Sequence, residues 1–125
     1  MLKPHTPPSI HPPFAKYSHA VEVPPGARLL FASGQLGITA DKKVPEDAGG
    51  QAALCFEAIG AILASAGMDF SDIVRINAFV TDRAYLKDYM AVRDRYVGSP
   101  PPASTLFFNY RAAAEIYTVE IEVIA

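Results

Sequence analysis

Glu120 and Glu122 stand two residues apart in the run Tyr117-Thr118-Val119-Glu120-Ile121-Glu122-Val123, where apolar and polar side chains alternate. Alternation with period two is the pattern of a half-buried strand, so both carboxylates project from one face while the apolar residues point to the other. A carboxylate held at a protected boundary can act as acid or base, or hold a water against an electrophile. The same pair on a solvated strand edge would have no role in chemistry, and spacing alone leaves both readings open. Tyr17 and Ser18, at the start of the first strand-like run, are the other polar groups that fall near such a boundary. His5 and His11 lie among prolines and His19 in a strand, and none has a cysteine or carboxylate at ligand spacing, so no metal site is expected. Ser18-His19 has the composition of a nucleophile beside its base, but neighbouring strand residues point to opposite faces and cannot share a proton. Gly34-Gln35-Leu36-Gly37 is glycine-rich yet lacks the Lys-Ser/Thr end of a phosphate loop and reads as a tight turn between strands. Cys55 falls on an apolar helix stripe with nothing cationic adjoining it, the setting of a small buried hydrophobe rather than a nucleophile.

The elements that must hold these residues follow from local signals. Residues 1–13 carry five of the eleven prolines and read as an extended or disordered tail ahead of a single domain over 14–125. Strands are expected over 17–23 and 28–33, joined at Pro24-Pro25-Gly26, with a short third strand over 36–39. Asp47 is placed to cap a helix over 48–66 that Gly67 stops, with apolar positions 52, 55, 56, 59, 62, 63 and 66 in one stripe. Residues 73–80 read as a strand with Val74, Ile76, Ala78 and Val80 on one face. Asp82 is placed to cap a second helix running to about residue 97, with Leu86, Tyr89, Met90 and Tyr96 on its inner face. Strands over 103–110 and 116–124 close the chain. The class is therefore α+β, a sheet of five or six strands with two helices on one face. The uncovered face is expected to show Arg75, Asn77, Glu120 and Glu122 beside Ile73 and Phe79. That surface is too apolar for water and suited to meeting copies of itself.

Composition bounds the partners. A chain of 125 residues makes one domain, because two halves would each bury too little surface to be stable. A formal net charge of −2, with Lys42-Lys43 the one adjacent basic pair, leaves no cationic stripe for nucleic acid. A single cysteine excludes an internal disulfide and suits a reducing compartment. No run reaches the ~18 consecutive apolar residues of a membrane span, and the N-terminus has no apolar leader. The expectation is a cytoplasmic domain with neither nucleic acid nor membrane as partner.

Taken in order from about Ile10 to Ala125, the pieces resemble the Rid (reactive intermediate deaminase, or YjgF) family. They are Tyr17-Ser18-His19-Ala20-Val21, Phe31-Ala32-Ser33-Gly34-Gln35-Leu36-Gly37, Gln51 with Ala64-Ser65-Ala66-Gly67, Asp72-Ile73-Val74-Arg75, Phe79-Val80-Thr81-Asp82 and Val119-Glu120-Ile121-Glu122-Val123-Ile124-Ala125. The resemblance implies a chorismate-mutase-like fold and a homotrimer with sheets inward and a small-molecule ligand cleft between neighbours. It also implies hydrolysis of enamines and imines derived from amino acids, with no metal or organic cofactor. On it, Glu120 is the catalytic carboxylate that positions water, and Tyr17, Ser33 and Gly34 line the cleft. The family's substrate clamp is an arginine in a Pro-Ala-Arg motif. This chain reads Pro101-Pro102-Ala103-Ser104-Thr105, so Ser104, or Ala103 if the alignment slips by one, holds that place. Met90 replaces an asparagine of the hydrolytic members. Each hydrogen bond to a charged group contributes about 1.5–3 kcal/mol, so losing the guanidinium weakens binding of a carboxylate on the order of 100-fold. Arg111, in the loop before the last strand, is the one candidate substitute. Two function readings follow: a hydrolase or deaminase with an altered substrate, and a non-catalytic trimeric binder of small metabolites. Some relatives carry ribonuclease labels, which the charge distribution and the lack of an acid–base histidine pair disfavour here.

Overall fold

Asp47 opens the long helix because its carboxylate accepts the Gly50 N–H at 2.8 Å, satisfying one of the donors that a helix start leaves free. The computed structural model describes residues 1–125 and gives α1 as Ala48–Ser65. Gly67, at φ +70°, then turns the chain, a conformation that glycine adopts without steric cost. Ala52, Cys55, Phe56, Ile59 and Leu63 are fully buried on the inner stripe, while Ile62 and Ala66 are only partly covered. The helix is long and apolar enough by length and composition to cross a bilayer, yet here its stripe packs on the sheet and the second helix.

The strands are β1 Lys3–His5, β2 Ala20–Glu22, β3 Phe31–Leu36, β4 Arg75–Val80, β5 Ala103–Phe107 and β6 Val119–Ile124. Four form a sheet in the order β3-β6-β4-β5, with β4 antiparallel to β6 and parallel to β5, and β3 antiparallel to β6. β1 and β2 form a separate antiparallel ribbon, so the proline-rich tail contributes a strand of its own. On β4 and β6 burial alternates strictly: Ile76, Ala78, Val80, Val119, Ile121 and Val123 face the helices. Each of these Ile and Val side chains contributes about 1.5–3 kcal/mol by leaving water. α1 and α2 (Leu86–Tyr96) cover that face, with the Phe56 ring stacked on Tyr96 at 4.9 Å.

Several local expectations are corrected. The turn at Pro24-Pro25-Gly26 forms, with Gly26 at φ +76°, but the strands on either side do not pair, because β2 takes the tail as partner. No strand covers 36–39 and no turn falls at Gly34. Instead Ala32 sits opposite Val123 and Gln35 opposite Ile121, which is one extra residue on β3 and hence a bulge inside a continuous strand. Ile73 is buried in the core, not on the open face, because the 3₁₀ turn Phe70–Asp72 breaks the alternation before β4 begins. Asp82 caps a 3₁₀ turn, Arg83–Tyr85, rather than α2 itself. Leu86 is consequently exposed, and Tyr89, Val92 and Arg93 form the buried side of α2.

β5 and β6 are shorter than the sequence suggests because the chain between them wraps as a loop around one buried amide. Gln51, fully buried on α1, donates from Nε2 to the Pro45 and Ile116 carbonyls at 2.9 and 2.8 Å and accepts the Thr118 N–H at 2.8 Å. Gly37 lies so close to Gln51 that a Cβ there would overlap it. Buried groups left unpaired cost about 1–3 kcal/mol each, and these three are only partly screened from water. Gln51→Leu is therefore expected to lower unfolding stability by about 2–4 kcal/mol; an unchanged denaturant midpoint would mean that the loop is held by other contacts. Cys55 supplies a second check. Burial first, and the Glu120 charge second, push its thiol up to about 12. Native protein is expected to resist a thiol-exchange reagent at about pH 8, each chain releasing one thiol only after denaturation. Rapid reaction of the native protein would contradict the packing.

Candidate functional site

Glu120 stands on the helix-free face of β6, opposite Phe79 on β4 and Leu36 on β3. Oε1 accepts the Tyr110 hydroxyl at 2.9 Å. Oε2 lies over Gly34, and a Cβ at that position would overlap it, so glycine is required here for close approach. The bulge is what brings Gly34 there. The hydrogen bond to Glu120 is the main reason that the Tyr110 phenol is raised from its ordinary value, with burial and the charges of Glu120 and Glu122 adding to it. The phenol therefore remains a proton donor at neutral pH. Phe79 stacks on Phe107 at 4.9 Å and 10°, and also meets Tyr110, tilted, at 4.9 Å.

Glu122, one step along β6, belongs to a polar row. Asn77 Nδ2 donates to Glu122 Oε1 at 3.2 Å, Arg75 Nε donates to Asn77 Oδ1 at 3.0 Å, and Arg75 Nη2 donates to Thr105 Oγ1 at 2.5 Å. Neither carboxylate lies on a solvated edge, since β6 is flanked by β3 and β4. The two have separate settings: Glu122 within a hydrogen-bonded ladder, Glu120 between a tyrosine, a glycine and an aromatic stack.

The remaining sequence-derived residues fall elsewhere. Ser33 is exposed beside Gly34 on β3. Ser104 pairs with Ile76, a fully buried residue of the helix-covered face, so its side chain lies on the side away from Glu120, which Thr105 shares instead. Tyr17 sits beyond β5: Ser18 bridges Ala103, its N–H donates to Pro102 O at 2.9 Å, and the Tyr17 hydroxyl accepts the Phe14 N–H at 3.2 Å. One chain thus brings Ser33, Gly34 and Glu120 together at the β3–β6 side and places Tyr17 and Ser104 at the opposite edge, with β4 between. Arg111 is exposed and bonds to neither Glu120 nor Ser104, and Met90 is half-buried against the core. The Ser18 hydroxyl donates to Pro101 O at 2.6 Å, away from His19. The sequence reading found no histidine pair, but His11 and His19 meet edge-to-face at 5.2 Å. The His19 Nε2–H is occupied by the His11 carbonyl at 2.8 Å, and the His11 ring stacks on Phe14. No three His, Cys, Asp or Glu side chains converge as metal ligands.

Tyr110, bonded to Glu120, and Phe107, stacked on Phe79, are the neighbours of this carboxylate's face that the sequence did not single out. No spacing rule links residues 110 and 120, because their contact depends on how the loop wraps around Gln51. Two hollows lie elsewhere. One is a groove of about 140 Å³ walled by Leu2, Val23, Leu29, Met68 and Ala125, and the other an opening of about 430 Å³ beside Asp47, Gly49 and Asp88. Glu120 and Ser104 line neither.

The family described as Endoribonuclease L-PSP matches residues 9–125. Protein DfrA of Myxococcus xanthus is 36% identical over 115 residues, 87% of this chain and 83% of that one. Reactive Intermediate Deaminase A of Arabidopsis thaliana, a chloroplast protein, is 29% identical over 109 residues, 86% of this chain and 55% of its own length. Among solved structures, the Rid-family protein YyfB of Yersinia pestis superposes with a TM-score of 0.87 at 27% identity, covering 99% of this chain and 97% of that one. A two-helix layer on a mixed sheet, shared over the whole length with a Rid protein, is the chorismate-mutase-like architecture expected from the motifs. With motif order, fold and family match in agreement, the chain belongs to the Endoribonuclease L-PSP family, that of the Rid proteins.

Proposed function

We propose that this chain is one subunit of a trimeric small-molecule hydrolase acting on imines or enamines, with each site completed across a subunit boundary. The observation that carries the reading is the setting of Glu120: one oxygen is engaged by Tyr110, and the other is left free over Gly34 on a face that no helix covers. In the proposed reaction the free oxygen holds a water and takes its proton as the water oxygen bonds to the imine carbon. The C=N pair moves onto nitrogen, which receives that proton, and the resulting carbinolamine expels ammonia to leave a carbonyl. An enamine first takes a proton on carbon to become the imine. No metal or organic cofactor enters these steps.

The split between the two half-sites supports a ring. Rotation of copies joins one edge of a sheet to the opposite edge of the next, so Gly34 and Glu120 of one subunit would meet Tyr17 and Ser104 of its neighbour. The open face, with Phe31 70% exposed at its β3 edge, is apolar enough to require a partner. Residues 14–125 form the working domain in this reading, with residues 1–13 as a strap whose strand covers β2. Arabidopsis Reactive Intermediate Deaminase A, by its name, belongs to the same reaction class. Ser104 offers only a neutral hydroxyl where the family's guanidinium would stand, so the favoured substrate is neutral or weakly polar. The same neutrality is the one observation that favours a second reading, a trimeric metabolite binder without catalysis.

Light scattering behind size exclusion at micromolar concentration is expected to report three chain masses, and a clean monomer would remove the interfacial site. In an ammonia-release assay, 2-iminopropionate is expected to decay at most about one-hundredth as fast as with an arginine-bearing relative. Glu120→Ala is expected to abolish the residual acceleration. A rate equal to the relative's would mean that the carboxylate is held by another group, Arg111 being the nearest in sequence.

A further inference from the structure

Tyr110 belongs to no strand or helix, yet three contacts fix it. Asn109, at φ +59°, reverses the chain after β5, and the Tyr110 N–H reaches the Val80 carbonyl at 3.4 Å. Its ring leans on Phe79 at 4.9 Å, and its hydroxyl donates to Glu120 at 2.9 Å. A carboxylate on a strand can swing about its last torsion, which is broad and roughly two-fold. Here one oxygen is held by a phenol and the other is backed by the Gly34 main chain, so a single lone-pair direction is presented to a reactant. The donor is neutral and adds no charge to the site. Beyond it, Phe79 and Phe107 continue as a stacked strip from β4 to β5, the outer ring 45% exposed. Arg75, the cation that β4 places on this face, is already engaged by Asn77 and Thr105. Beside Glu120 the surface is therefore aromatic on the Tyr110 side and carries no free cation from β4, with Glu122 the next charge along β6.

We propose that Tyr110 is the positioning residue for Glu120, and that the strip Tyr110–Phe79–Phe107 selects substrates with a flat apolar group on the carbon under attack. This rests on the imine-hydrolase reading and extends it to a substrate class. A planar ring laid against such a strip gains by offset stacking, typically a fewfold to about tenfold in affinity over an aliphatic group of similar polarity.

The test compares two neutral imines released by an amine oxidase, one from benzylamine and one from propylamine, and in parallel the binding of benzamide and propionamide by ligand-observed NMR. Tyr110→Phe is expected to lower kcat about tenfold for both imines while KM and benzamide affinity stay within about twofold, because the ring remains and only the hydroxyl is lost. Phe107→Ala is expected to weaken benzamide and raise KM for the aromatic imine about fivefold, with the aliphatic probes unmoved. Unchanged kcat in Tyr110→Phe overturns the positioning role, as does a change confined to KM. Equal losses for aromatic and aliphatic probes in Phe107→Ala overturn the strip. If wild type hydrolyses neither imine but binds benzamide through Phe107, the hydrolase reading fails and the selectivity stands. If it binds benzamide no better than propionamide, the selectivity falls whether or not hydrolysis occurs.

Discussion

Two helices can dry only one face of a four-stranded sheet, and the composition of the other face follows from that constraint. On the covered side β4 and β6 present unbroken rows of Ile, Val and Ala to α1 and α2. On the open side the same strands carry Arg75, Asn77, Phe79, Glu120 and Glu122. Because each strand alternates, burying one set determines where the other goes, and the carboxylates reach the open face as a consequence of core packing. Aromatic rings and hydrogen-bonded polar groups on that face make it unlike a solvated surface. Arg75, Asn77, Thr105 and Glu122 share hydrogen bonds there, while Glu120 has only one oxygen engaged, so burying this face whole would strand a charge unless that carboxylate keeps a polar partner.

The Glu120 end of the face depends on one buried amide. Gln51 ties the start of α1 to the loop before β6 through two hydrogen bonds and to Pro45 through a third, and that loop carries Tyr110 to Glu120. Gly37 and Gly34 make room for Gln51 and Glu120 respectively, one on each side of the sheet's outer strand. The glycine segment thus serves two close approaches, which explains why a bulge and not a turn lies there. Beneath it, Cys55 donates to the Gln35 carbonyl at 3.3 Å and is held in its thiol form, a packing group under the site.

What could be read from the sequence was what local chemistry determines. Asp47 and Gly67 bound α1 because a cap and a left-handed glycine act within a turn of the chain, and Glu120 and Glu122 share a face because period two is a property of any strand. Ile73 was misplaced because the 3₁₀ turn before it resets the period, and Leu86 because a second short turn absorbs the Asp82 cap. The pairing of the tail with β2 and the bulge at Gly34 are matters of register between distant segments, which no window of sequence displays. Ser104 shows the limit most clearly. Motif alignment assigns it to the site, whereas strand parity puts its side chain on the face opposite Glu120 within one chain, since a single-residue step exchanges the two faces. Tyr110 was invisible for the complementary reason: its partner is set by a loop, and the loop by Gln51.

The central claim is that Gly34 with Glu120 and Tyr17 with Ser104 are two halves of one site drawn from neighbouring subunits. Subunit mixing tests it most directly. Glu120→Ala and Tyr17→Ala chains, each without activity alone, would be dissociated together and reassembled at equal ratio. Random assortment gives about a quarter of the boundaries both halves intact, so about a quarter of the wild-type imine hydrolysis should return. No recovery in a mixture that reassembles to the wild-type mass would contradict the account, because a site contained within one chain cannot be restored by exchange.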